Sequence, residues 1–137
     1  MRQFGGVYPS ECDTVAGHSS AVSVLATVLA YEFSEELKSE TGVELNLPDV
    51  TLMATFHDFG EARSGDTGVS SLSVHSVCKL FPLEREGLEA NLKGLKISRR
   101  VLELFDDYRG YKTPEALSVH IADNLEGIEN LNPAIRK

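Results

Sequence analysis

The chain has 137 residues, a formal net charge of −8 at pH 7 and an isoelectric point near 4.9. A chain of this length builds one hydrophobic core, and neither a repeat nor a linker-like run divides it, so we expect a single domain over residues 1–137. No basic run is longer than the pair Arg99-Arg100. Because nucleic acid polymers and anionic membrane surfaces are bound through basic footprints, this composition argues against both as partners. A small anion held by a metal ion remains compatible with it.

The two cysteines, Cys12 and Cys78, match no CxxC or metal-finger spacing, so we interpret them as ordinary thiols of a cytoplasmic protein. The apolar stretch Ala21–Tyr31 is too short to span a bilayer, and the residues before it are acidic. We therefore predict that it is a core helix and not a targeting signal.

Residues 1–13 lack helical periodicity and contain two glycines and a proline, so we expect an irregular arm. The only basic residue of the arm is Arg2. Its planar guanidinium could pair with a substrate phosphate, although a solvated terminal side chain is the simpler interpretation.

The first long helix should begin at an N-cap formed by Asp13 or Thr14. His18 lies in its first turn, where a lone histidine is usually a surface or satisfied core residue unless partners make it a ligand. Helical spacing predicts that the buried stripe consists of Val22, Leu25, Leu29 and Phe33, widened by Val24 and Val28.

The second helix should open at Pro48 and lead into the stretch 51–66, which carries the densest set of candidate functional residues. On a helix His57 and Glu61 would share one face, and Asp58 would lie about 100° round the axis. Imidazole and carboxylate groups suit a divalent ion, and a further carboxylate could orient a bound water. Gly60 should allow another element to approach closely.

The loop after this stretch contains Asp66 between Gly65 and Gly68. Asp66 could face the same cavity as Glu61, or it could belong to a turn without chemistry. Arg63 could bind an anion or pair with either of these carboxylates.

Three further helices are predicted before the last one. A weak helix over Ser70–Phe81 should stop at Pro82, and we treat His75 within it as structural. A charged helix over Leu83–Leu95 should bury Leu88, Leu92 and Leu95, and a helix over Ser98–Tyr108 should bury Val101, Leu102 and Phe105.

The last helix should start at Thr113, with the proline and glutamate that follow it favouring the first turn. Its predicted apolar stripe is Leu117, Ile121, Leu125 and Ile128. Asp123 lies in the middle of this helix, where an unpaired buried carboxylate would be costly and a metal ion would compensate it. His120 could share the face of Asp123, could be its hydrogen-bond partner or could point to solvent.

Several motifs together resemble the HD-domain metal-dependent phosphohydrolases, in particular the small 5′-deoxynucleotidase branch. The order His18, His57-Asp58, Asp123 resembles the H…HD…D ligand set of this superfamily. Residues 14–19, TVAGHS, resemble its VAEHS motif with Gly17 in place of the glutamate, residues 57–61 resemble HDxGE, and residues 65–66 resemble the GD that follows. The segments 107–108, 113–116 and 122–126 resemble the closing half of the branch.

This resemblance implies an all-α bundle of about five to six helices with one divalent ion, which could be Mn, Co, Fe, Ni or Zn. It implies metal ligation by His18, His57, Asp58 and Asp123. It also implies that Glu61 is the catalytic carboxylate, that Asp66 contacts substrate or water, and that Arg2 binds substrate.

The function that the resemblance implies is phosphate release from nucleoside 5′-monophosphates, with the deoxy series included. A phosphodiesterase or a hydrolase of higher nucleotides would need more basic residues than Arg2, Arg63 and Lys112. A binding protein without turnover is the other alternative; Gly17 favours it and the intact Glu61 argues against it. A short chain without the usual end helices would leave an apolar face uncovered, which suggests a homodimer.

Overall fold

The computed structural model describes residues 14–60 and 74–131, with side chains described for 14–60 and 82–128. In these ranges the regular structure is entirely helical, which confirms the all-α prediction. The helices, in chain order, are α1 (Val15–Thr41), α2 (Leu47–Phe56), α3 (Val74–Asn91), α4 (Ser98–Gly110) and α5 (Pro114–Leu131). None of the described helices is long and apolar enough to cross a membrane.

The helix ends follow the local sequence signals. The Thr14 side chain accepts a hydrogen bond from the Gly17 N–H at 3.0 Å, and Gly42 ends α1 in a left-handed conformation with φ 75°. The Asn46 side chain caps α2, and the Thr113 hydroxyl accepts from the N–H of Ala116 at 3.1 Å at the start of α5. These capping interactions are why the predicted starts of α1 and α5 are confirmed.

The core is built where α1 packs against α2 and α5, and α2 also contacts α4. The predicted stripe of α1 is partly wrong, because Val24 is 63% exposed and Phe33 is 55% exposed. The fully buried positions of α1 are His18, Val22, Ala26 and Ala30. Alanines bring helix backbones close together, so the buried face is rotated away from the larger valines.

Helix α5 differs from the prediction in the same way. The apolar stripe that we expected to be buried is exposed, with Ile121 57% exposed; its other members are Leu117, Leu125 and Ile128. The buried face contains Ala116, Val119, Ala122 and Glu126. Small side chains and one carboxylate therefore face the core. The Glu126 carboxylate is satisfied there because it accepts a hydrogen bond from His18.

Helix α3 continues through Pro82, whereas two helices separated at this proline were predicted. Proline removes one backbone donor, but the helix is also held by packing of Leu88 and Leu92 against α4. Leu95, predicted to be buried, lies beyond the helix and is exposed.

Two ion pairs with reversed polarity join α3 to α4. Arg85 forms a two-pronged pair with Asp106, with Nε–Oδ1 at 2.8 Å and Nη2–Oδ2 at 3.1 Å. The neighbouring Glu84 pairs with Arg109. Gly60 packs on the backbone of Glu84, where a Cβ would overlap the carbonyl oxygen. The prediction that a small residue is needed at position 60 is therefore confirmed. The turn after α2 packs on the part of α3 that the two ion pairs join to α4.

Candidate metal centre

His18 is placed by the first turn of α1 and is 1% exposed. Its Nδ1 atom lies 2.6 Å from Oε2 of Glu126, a buried residue of α5. Since a carboxylate accepts, Nδ1 carries the proton. Nε2 lies on the side of the ring away from Glu126. This side points at Asp58 and Asp123.

His57 and Asp58 lie in the turn that directly follows α2, because the helix ends at Phe56. His57 still has helical dihedral angles, and its Nδ1 donates to the carbonyl oxygen of Ala54 at 2.7 Å. A carbonyl oxygen can only accept, so Nδ1 holds the proton and Nε2 of the neutral ring offers a lone pair. Both histidines are therefore fixed with Nε2 aimed at one point.

Two carboxylate oxygens complete this point. Asp58 Oδ2 lies 3.3 Å from Nε2 of His18 and 3.4 Å from Nε2 of His57. Asp123 Oδ1, from α5, lies 3.0 Å from the first of these nitrogens and 3.9 Å from the second. The structure thus brings together all four residues predicted as metal ligands, although they come from three separate segments of the chain.

The chemistry of this group fits a divalent cation. Two imidazole lone pairs face two carboxylate oxygens, so four acceptors converge and need either shared protons or a cation between them. Ligands bound at about 2.1 Å to one ion are typically about 3.0–3.4 Å apart, which is close to most of the separations found here. His18, His57 and Asp58 lie close enough together to hold one ion, and Asp123 borders them.

The titration behaviour without a metal reflects the same convergence. Burial opposes charge on His57, but the hydrogen bond to Asp58 and the charges of Asp58 and Asp123 outweigh it and raise the pKa of the imidazole. Burial likewise opposes charge on Asp123, yet the hydrogen bond with His18 and the charge of His57 hold its pKa below the ordinary value. A positive charge at this point is therefore favoured electrostatically.

Two residues of the site were missed by sequence reasoning. Glu126 lies one helical turn after Asp123, so the i, i+3 spacing of two acids on one face was the available signal. Tyr108 is buried, and its hydroxyl donates to Oδ2 of Asp123 at 3.2 Å. Burial first, and then the charges of Asp123 and Asp58, raise the pKa of Tyr108, so the phenol remains a donor.

The hydrogen-bond partner that the structure gives His120 is the backbone of Tyr108 and not Asp123. Its Nε2 donates to the backbone carbonyl oxygen of Tyr108 at 2.8 Å, and its ring stacks between Tyr108 and Tyr111. Partial burial lowers its pKa.

The other predicted site residues, Arg2, Glu61, Arg63 and Asp66, lie outside the described residues, as does the side chain of His75. Their placement therefore stays a prediction. What the described part does fix is the position of Gly60, the residue directly before Glu61.

The described helices form an all-α bundle with a His/Asp centre. The centre combines residues from the first turn of α1, the turn after α2 and the middle of α5. This arrangement is typical of metal-binding helical domains. The sequence profile of the HD domain matches residues 6–132, so the chain belongs to the HD-domain family. This family generally consists of metal-dependent hydrolases.

Among solved structures, the chain is similar to a conserved hypothetical protein from Pyrococcus furiosus, with 29% sequence identity and a TM-score of 0.66. The similarity covers 83% of this chain and 60% of that protein, so the match spans less than two thirds of the other chain. No curated protein sequence matches the chain significantly.

Proposed function

We propose that the protein is a divalent-metal-dependent phosphomonoesterase that releases phosphate from nucleoside 5′-monophosphates, including deoxynucleotides. The observation that carries the proposal is the convergence of two histidine Nε2 atoms on oxygens of Asp58 and Asp123. The motif that contains His57 and Asp58 continues into Glu61, which is the residue type needed for turnover.

In this proposal His18, His57, Asp58 and Asp123 hold the ion. When bound, a divalent ion supplies a water of lowered pKa and neutralises negative charge on a phosphate. Glu61 takes the proton of the attacking water, whose oxygen bonds to phosphorus in line as the bond to the nucleoside 5′ oxygen breaks. The 5′ oxygen takes up a proton and leaves as the nucleoside hydroxyl. Asp66 orients water or substrate, and Arg2 and Arg63 pair with phosphate oxygens through their guanidinium groups.

The charge distribution supports a monophosphate over a substrate with more phosphates. The chain carries 21 acidic and 13 basic residues. All four arginines whose side chains the structure describes are already paired with carboxylates of the protein: Arg85, Arg99, Arg100 and Arg109. Extra phosphate groups would need further unpaired cations, because each adds negative charge beside the acidic cluster.

The proposal is tested by measuring phosphate release from ribo- and deoxynucleoside 5′-monophosphates, with protein stripped of metal and reloaded with Mn, Co, Fe, Ni or Zn. We expect release with at least one ion and its loss in Glu61→Gln, with Glu35→Gln, a distant exposed acid on α1, as the matched control. Bis(p-nitrophenyl) phosphate and nucleoside triphosphates test the alternative activities. Stoichiometric metal without release from any ester would replace the proposal with a binding function.

We further propose that the protein forms a homodimer through the exposed apolar faces of α1 and α5. The exposed apolar side chains form one stripe on each helix and are not scattered singly over the surface. The stripes consist of Val24 and Val28 on α1 and of Leu117, Ile121, Leu125 and Ile128 on α5. On α1 the stripe borders an open groove of about 540 Å³ whose lining also includes Ala21 and Glu126. A second copy is the occupant that we propose, since it would present the same apolar surfaces in return. The cytoplasmic location stays a prediction.

A further inference from the structure

Tyr108 contacts two of the four converging residues from a buried position on α4. Its ring meets the His57 ring edge-on, with centroids 5.4 Å apart and an interplanar angle of 69°. Its hydroxyl donates to Oδ2 of Asp123 at 3.2 Å. The other oxygen of Asp123, Oδ1, is the one that lies 3.0 Å from Nε2 of His18. The two oxygens of this carboxylate therefore have different neighbours.

Tyr108 is itself held by a stack of rings. His120 lies parallel to it, with centroids 3.9 Å apart and 12° between the planes, and donates to the carbonyl oxygen of Tyr108. Tyr111 covers the other face of His120 at 3.9 Å and 7°. Tyr111 has a positive φ of 52°, which is uncommon for a bulky residue and ends α4 in a left-handed conformation. The stack fixes the direction of the Tyr108 ring.

We propose that Tyr108 is a positioning residue that selects which oxygen of Asp123 faces the metal centre. A carboxylate can bind an ion through one oxygen or through both, and the choice changes the number of positions left for other ligands. The hydrogen bond to Oδ2 stabilises the orientation in which Oδ1 is the oxygen nearest the histidines. Hydrogen bonds to ligating carboxylates commonly tune metal sites in this manner. The inference rests on the metal centre of the proposed function and not on its substrate.

The test uses Tyr108→Phe in the full chain. The control is Tyr111→Phe, which also removes one phenol hydroxyl and retains the aromatic ring. Tyr111 is exposed and stacks on the face of His120 opposite Tyr108. Co²⁺ is titrated into stripped protein, and affinity is measured by calorimetry and coordination by visible absorption. We expect about 10-fold weaker binding in Tyr108→Phe together with an altered Co²⁺ spectrum. Tyr111→Phe should match the wild type in both measurements.

Unchanged affinity and an unchanged Co²⁺ spectrum in a folded Tyr108→Phe protein would overturn the proposal. If circular dichroism shows that this variant does not fold, His120→Ala decides, since it removes the ring that holds Tyr108 while leaving the hydroxyl and Asp123 in place. A smaller shift of affinity and spectrum in the same direction supports the proposal, and wild-type values overturn it. The readout is independent of phosphate release, so failure of the proposed activity with normal Co²⁺ binding is distinguishable from failure of this inference.

Discussion

His18 and Glu126 are 108 positions apart in the chain, and their side chains meet at 2.6 Å in a buried hydrogen bond. This contact joins the start of α1 to α5 and fixes the His18 ring with Nε2 toward Asp58 and Asp123. Gly17, which stands where the VAEHS motif has a glutamate, precedes His18 directly. A carboxylate partner for the histidine is nevertheless present, and it comes from α5.

Glu126→Ala should weaken metal binding about 10- to 100-fold, because the variant removes the acceptor that orients His18. Glu126→Gln keeps an acceptor oxygen without the charge and should lose less. Binding is measured by calorimetry with Co²⁺, with the exposed Glu35→Ala as control. Wild-type affinity in Glu126→Ala would show that this hydrogen bond does not influence the metal centre.

Gly60→Ala should destabilise the fold by about 1–3 kcal/mol, since its Cβ would overlap the Glu84 carbonyl and force the turn away from α3. Gly127→Ala is the matched control, because a Cβ there meets no heavy atom within 4 Å and alanine is favoured in a helix. Chemical denaturation should show opposite signs for the two variants. Equal stability of both would contradict the contact between the turn and α3.

The Arg85–Asp106 pair should contribute about 0.5–1 kcal/mol in a double-mutant cycle, as both side chains are about a third exposed and the geometry is two-pronged. The more exposed Arg99–Glu103 pair is the comparison and should contribute less. Both cycles are read from urea midpoints. A larger coupling energy for Arg99–Glu103 would contradict the expected contribution of the Arg85–Asp106 pair between α3 and α4.

Metal binding should stabilise the wild-type fold, because the ion binds acceptors brought together only in the folded chain. A free Co²⁺ concentration of 100 times the dissociation constant corresponds to about 2.7 kcal/mol, seen as a rise in Tm after chelator treatment and reloading. His57→Ala should show no such rise. A similar rise in this variant would place the stabilising ion elsewhere.

Ile121→Lys should shift the protein from dimer to monomer in light scattering coupled to gel filtration, because a charge would be buried in the proposed interface. Lys96→Glu, an exposed substitution in the α3–α4 connection, is the control and should leave the mass unchanged. A monomeric wild-type protein at high micromolar concentration would refute the dimer. A dimeric Ile121→Lys would place the interface on another surface.

Much of the fold was predictable because its signals are local. Capping by Thr14 and Thr113 and the left-handed stop at Gly42 depend on residues close in sequence. The buried faces were less predictable, as Ala26 and Ala122 are weakly hydrophobic and pack only because other helices approach them closely. The continuous α3 was missed since packing of Leu88 against α4 is a tertiary effect.

The sequence by itself determined the helical class, the motifs that carry His18, His57-Asp58 and Asp123, and the prediction of a divalent ion. The helical class follows from local periodicity and capping residues, and the ligand set with its ion follows from the resemblance of these motifs to the HD-domain phosphohydrolases. Neither needs a folded chain. Only the tertiary structure decided which atoms of these residues face one another and that Glu126 and Tyr108 support them. Helices distant in sequence must pack before Nε2 atoms and carboxylate oxygens can converge, and this packing depends on the shapes of all the helices together.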